Sequence, residues 1–209
     1  MSKIQTNQIQ HTQNGAAVYT LPTTDGSAGQ VLQTNGSGVL SWVSLPTGGL
    51  SMADQFRITS NGTLNTDTTS QLNSSISCTW ERSDSDSAGF IGTGMTQSDG
   101  VYTFPSTGIY QIIGNLVVSR DAAENRYANF NLEVSTDGGS SYDIAAIGSG
   151  GFGQIYQRDT CSLCFILDVT STTNVKVRFS ASTNRSNVQF RGDTGANYSA
   201  VIFTKLGET

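Results

Sequence analysis

The sequence predicts an all-β protein: an antiparallel two-sheet sandwich or jelly roll preceded by an extended N-terminal segment. Three observations lead there. Ser, Thr and Gly number 27, 26 and 23 among 209 residues, and these types favour turns, caps and strands over helix. From residue 54 onward, strand-length apolar runs recur between Gly-rich and polar turns. No segment sustains a helical period, and only Asp121–Tyr127 has room for a single helical turn.

Residues 1–50 stand apart in composition. The string TTDGSAGQVLQTNGSGVLSWVSLPTGG alternates turn signals at Asp25-Gly26, Asn35-Gly36 and Gly48-Gly49 with short extended pieces, Gln30–Gln33 and Val39–Val43. No piece can form a core alone. Three readings fit: a disordered tail, a small hairpin unit, or a stalk ordered by copies of itself. Val31, Leu32, Leu40, Trp42 and Leu45 favour the last two, because a disordered linker carries few such residues.

Residues 51–209 read as one domain. The expected strands are Gln55–Thr59, Ile76–Trp80, Val101–Phe104, Ile109–Ser119, Tyr127–Ser135, Tyr142–Ile147, Thr160–Val169, Asn174–Ala181 and Asn197–Leu206. Turns fall at Pro105–Gly108, Asp137–Ser140 and Ser171–Thr173. Many short strands with polar turns argue for a sandwich.

Two kinds of strand are present. Tyr127–Ser135 alternates Phe130, Leu132 and Val134 with Asn129, Asn131 and Glu133, and Asn174–Ala181 alternates in the same way, so both are expected to face solvent on one side. Ile109–Ser119, Thr160–Val169 and Asn197–Leu206 are apolar on both sides. A sandwich buries only one face of each sheet, and the chain has no helix to cover the other. A second copy of the same sheet is the simplest cover, which implies a homo-oligomer.

Several functions are excluded or disfavoured. No apolar run reaches membrane-spanning length, so no membrane insertion is expected. The start MSKIQTNQIQ has no apolar stretch of a signal peptide. A net charge of −5 without a basic cluster argues against nucleic-acid binding. The single histidine, His11, leaves no multi-histidine metal site and makes any histidine-based triad depend on a polar N-terminal tail.

The three cysteines fit a reducing compartment. Cys161 and Cys164 lie three apart in a strand and so point to opposite faces, away from a shared metal or disulfide. They and Cys78 read as small hydrophobes. No metal and no cofactor is expected. Asp84 and Asp86 in SDSDS lack an apolar wall to raise a carboxyl pKa and read as a solvated loop, with a weak Ca²⁺ site as the alternative. Gly148–Gly153 lacks the lysine and following helix of a phosphate loop. Arg191-Gly192-Asp193 reads as part of a turn.

Two resemblances add to this reading. Val101-Tyr102-Thr103-Phe104-Pro105-Ser106-Thr107-Gly108-Ile109-Tyr110 and the closing strand Tyr198-Ser199-Ala200-Val201-Ile202-Phe203 resemble the jelly roll of the tumour necrosis factor superfamily. The match is closest to the globular head of the complement first-component collagen-like proteins, and it covers about residues 54–206. It implies a homotrimer in which the sheet holding the first, third, sixth and last strands lines the axis. These are the strands that are apolar on both sides. Tyr110, Ile112, Leu116, Phe165, Tyr198 and Ile202 are the candidates for the interface, and which face of the sandwich turns to the axis stays open. No collagen repeat is present. The N-terminal stretch from Ile9 to Trp42 resembles a segment of phage tail-fibre and other virion structural proteins, familiar from phages of marine bacteria and cyanobacteria. It implies a virion anchor or stalk over residues 1–50, held by another virion protein, before a head over residues 51–209.

Loop lengths suggest where the head binds. Antiparallel succession places the long connections 119–127, 147–160 and 181–197 at one end. They carry scarce charges and aromatics: Arg120, Asp121, Glu124, Arg126, Phe152, Tyr156, Arg158, Arg185 and Arg191. Arg and Tyr are favoured at recognition surfaces, and sugars stack on aromatic faces. The expected protein is a non-enzymatic phage structural protein on the virion surface, a trimeric fibre or knob whose distal loops bind a host glycan or protein. A capsid or tail decoration or connector protein without a receptor is the alternative. A glycan-processing enzyme comes third, for want of a convincing carboxylate pair.

Overall fold

The computed structural model describes residues 7–10, 18–44, 49–64, 67–85, 87–120, 127–153, 156–184 and 188–209. The chain divides into two compact units, Met1–Gly49 and Leu50–Thr209. No α-helix occurs among the described residues.

The N-terminal unit holds two hairpins. One pairs β1 (Gln8–Gln10) with β2 (Val18–Thr20), the other β3 (Gln30–Thr34) with β4 (Leu40–Ser44). A parallel bridge between Thr20 and Val39 joins them. Local side-chain bonds set the β3–β4 turn, where Asn35 Oδ1 accepts the Ser37 and Val39 amides at 2.9 and 3.2 Å. The Trp42 indole N–H donates to the Thr24 carbonyl at 2.9 Å.

The second unit contains β5 (Ala53–Ile58), β6 (Gly62–Thr63), β7 (Thr69–Gln71), β8 (Trp80–Arg82), β9 (Thr96–Ser98), β10 (Val101–Thr103), β11 (Gly108–Arg120), β12 (Tyr127–Ser135), β13 (Asp143–Gly151), β14 (Arg158–Val169), β15 (Lys176–Thr183), β16 (Val188–Phe190) and β17 (Ala200–Gly207). All its strand pairs are antiparallel. One sheet runs β13-β12-β15-β10-β9, with β7 also on β15. In the other, β14 takes one edge of β11, while β17 and β16 pair elsewhere along β11 and lead to β5-β8 and to β6. The expected all-β sandwich is the fold observed.

Large side chains from both sheets meet in the core. The ring of Tyr102 lies 5.1–5.7 Å from those of Phe56, Phe179 and Phe203, and Phe130 stacks on Phe179 at 5.4 Å. Each such pair contributes on the order of 1 kcal/mol beyond its area. β13 closes the side of the sandwich against β14. Gly148 and Gly150 face Ser162, Asp159 and Cys161, and a Cβ on Gly148 would overlap the Ser162 backbone.

Several expectations change. The expected strand at Ile76–Trp80 is a 3-10 turn at Ser74–Ile76, capped by Asn73 and ended by Ser77 at φ +56°, and the strand starts only at Trp80. Asn73 Oδ1 accepts the Ser75 amide at 3.1 Å, a local bond that competes with strand pairing. The Gly-rich string after Ile147 is strand up to Gly151 rather than loop. Asn131 and Glu133, expected in water, are buried. They are covered within a polar network: Asn131 donates to Ser180 at 3.1 Å, and Arg178 donates to Glu133 at 2.6 Å. Cys78 and Cys161 are buried, whereas Cys164 is exposed on the opposite face of its strand.

Candidate functional site

The strand registers gather the ends of the three long connections at one end of the sandwich. Ser119 lies opposite Arg158, Tyr127 opposite Gly151, Ala128 opposite Thr183 and Arg120 opposite Val188. Tyr156 and Gln157 are fixed to the end of β11 by their backbone. Tyr156 N donates to Arg120 O at 2.9 Å, and Arg120 N donates to Gln157 O at 3.2 Å. The loop also braces itself, with Gly153 N donating to Gln157 Oε1 at 2.6 Å and Gly151 N to Asp159 Oδ2 at 2.7 Å.

Tyr156 results from this bracing. Its side chain is 80% exposed while its backbone sits at φ +61°, a conformation costly for a bulky residue. An aromatic ring held out by a pinned backbone loses little freedom on binding a partner. Arg158 and Tyr127 are exposed at the same end. Arg191 is half-buried and donates its backbone N–H to Val117 O at 2.9 Å, beside the same stretch of β11.

Two of the loop candidates fail as contact residues. Phe152 is folded into the core, and Arg120 is covered where the 156–157 backbone crosses it. Asp121, Glu124, Arg126 and Arg185 lie outside the described residues. The end therefore brings together Arg120, Phe152, Tyr156 and Arg158, of which Tyr156 and Arg158 face outward.

The second feature is the outward face of the β14-β11-β17-β5 sheet. Cys164, Ile113, Ile202 and Gln55 form one row across the four strands, and Ile166, Gln111, Thr204 and Ala53 form the next. Neither row holds a charge. Ile202 and Ile166 are 38% and 51% exposed, and Phe90 and Ile91, at 51% and 48%, lie beside Ile202. A hollow of about 380 Å³ opens between Ala53, Gln55, Phe90, Ile91 and Ile202.

The row above contains Arg57, which is fully buried. Glu81 and Asp84 pair with it at 2.7 Å each, and its third nitrogen, Nη1, donates to Ser85 Oγ at 2.6 Å. Asp84 of the SDSDS loop is thus taken by an arginine, and Asp86 lies outside the described residues. No group of three His, Cys, Asp or Glu able to hold a metal occurs among the described residues.

Four interface candidates turn the wrong way. Tyr110, Ile112 and Leu116 are fully buried in the sandwich, and Phe165 packs against that core. Tyr198 and Ile202 are on the surface, 45% and 38% exposed. The physical reason lies in β11. Its even positions fill the core, and Gly114 among them makes room for the Phe130 ring. Its odd positions carry Gln111 and Asn115, and those two polar residues are the signal that marks Ile113 and Val117 as outward.

No protein-family model and no curated protein sequence matches the chain. Among solved structures it is similar to the tumour necrosis factor Eiger of S. frugiperda, with a TM-score of 0.54 and 10% identity over 77% of this chain and 96% of that one. It is also similar to murine APRIL at pH 5.0, with a TM-score of 0.48 and 10% identity over 74% and 99% of the two chains. The two-sheet arrangement of residues 50–209 is a jelly roll of the tumour necrosis factor type.

Proposed function

We propose that the chain is a phage virion structural protein, a homotrimeric fibre or knob held to another virion protein through residues 1–50. The loop end of its jelly roll contacts a glycan or protein of the host surface. The observation that carries the trimer is the uncharged outward face around Ile113 and Ile202, with Phe90 and Ile91 beside it. Such a patch, with no helix among the described residues to cover it, fits burial against another copy. The observation that supports host contact is Tyr156, exposed and backbone-pinned at the loop end. Three such ends per knob, and several knobs per particle, let weak contacts add. The reading involves no catalytic step.

Burial of Phe152 and Arg120 thins the loop end as a contact surface. That favours a second reading, a capsid or tail decoration or connector protein without a receptor. A labelled full-length chain, tested on a panel of bacterial envelopes that includes marine bacteria and cyanobacteria, separates the two. Host contact predicts binding that Tyr156→Ala weakens at least tenfold without changing the protein's melting temperature. Binding to none of the envelopes favours the decoration reading.

A further inference from the structure

No described residue of the N-terminal unit is buried. Its strands nonetheless carry large apolar side chains, and Ile9, Val18, Tyr19, Val31 and Leu32 are 37–54% exposed. The register of β3 and β4 places Leu32 opposite Trp42 on one face and Val31 opposite Val43 on the other. The hairpin is therefore apolar on both sides, and each sheet of the unit has only two strands. An isolated two-stranded hairpin is at best marginal in water. Hydrogen bonds to Asn35 and from Trp42 specify the shape of this unit, but its described residues do not bury one another.

We infer that the missing partner is the same segment of other copies, and that three copies of the β3–β4 hairpin pack together through the Leu32–Trp42 and Val31–Val43 pairs. Two features of the unit favour copies over a different protein. Lys3 and Asp25 are its only charged residues, so identical segments meet without like-charge repulsion. A two-stranded sheet with apolar residues on both sides needs cover on both faces and continuation at its edges. Copies related by rotation supply both in a closed ring, whereas one flat partner surface covers one face. The number of copies rests on the proposed trimeric head, which tethers three N-terminal units at millimolar effective concentration.

The test uses the full-length chain, with its native mass and the hydrogen exchange of the Val31–Gln33 and Ser41–Val43 amides measured together. The expected result is a mass three times that of the chain, with these amides slowed at least 100-fold. A Leu32→Asp/Val43→Asp variant should lose that protection while keeping the threefold mass and the protection of Tyr110–Leu116 in the head. A threefold mass with freely exchanging hairpin amides overturns this inference and leaves the trimeric head standing. A single-chain mass overturns both. Protection that survives in the double variant, or that appears only on mixing with another virion protein, also overturns the inference.

Discussion

Glu133 and Arg178 stand opposite one another on β12 and β15, joined at 2.6 Å on the outward face of their sheet. Ser180 also donates to Glu133, and the Arg178 guanidinium lies 4.0 Å from the centre of the Tyr142 ring. The carboxylate is nearly enclosed while the arginine is about a third exposed. Removing the acid strands a mostly covered cation, so Glu133→Ala should cost about 3 kcal/mol, the low end for breaking a buried pair. Chemical denaturation gives the value. A loss below about 1 kcal/mol would mean that water already reaches the pair.

Tyr102 is fully buried, and its hydroxyl has no hydrogen-bond partner among the described residues. Its ring holds the aromatic centre of the core, so only the oxygen is a liability. Tyr102→Phe should therefore raise stability by about 1 kcal/mol, the penalty of a buried unpaired polar group. The midpoint of urea unfolding should shift upward with an unchanged slope. A downward shift would show that the hydroxyl is bonded.

Gly148 allows β13 to close on β14. Any side chain there meets the Ser162 backbone rather than a movable side-chain tip. Gly148→Val should destabilise by about 2 kcal/mol through forced separation of the two strands. Ser149→Val, one residue on and exposed, should change stability by less than about 0.5 kcal/mol. Denaturation midpoints of the two variants make the comparison.

Burial and the nearby Asp99 carboxylate push the Cys78 thiol up to about 12, and burial, with a smaller push from Asp159, moves Cys161 up to about 11, both from an ordinary 9.0. The folded chain keeps both protons at pH values where the unfolded chain releases them. The stability they contribute is full below pH 9 and is lost as the pH rises toward 11 for Cys161 and 12 for Cys78. The expected loss is about 1.4 kcal/mol per pH unit for each thiol across that window. Urea midpoints measured from pH 8 upward, with Cys78→Ala flattening the slope, check the sign and the size.

The strands that the sequence made legible are the long ones. β12 is visible in its alternation, and β11, β14 and β17 in strand-length stretches that carry apolar side chains on both faces. β6, β7, β9 and β16 are not legible in the sequence because two or three residues carry no period, and their partners recruit them. Apolarity on both faces of β11 does not say which parity points inward, and Tyr110, Ile112 and Leu116, expected at an interface, fill the core. Tyr110 goes inward, where its hydroxyl donates to Ser106 O at 3.0 Å, an arrangement that depends on the fold of the Ser106 turn. Tyr156 is legible in the sequence as a loop aromatic. Its pinning by Arg120 comes from contacts between segments more than 30 positions apart, which local sequence does not display.

The mass of the purified protein at high dilution tests most directly whether the face around Ile113 and Ile202 is covered by other copies of the chain. Sedimentation should give three times the 22.1 kDa of one chain, falling to a single chain in an Ile113→Asp/Ile202→Asp variant that keeps its β-sheet signal. A native chain that sediments at 22.1 kDa under the same conditions would contradict that cover.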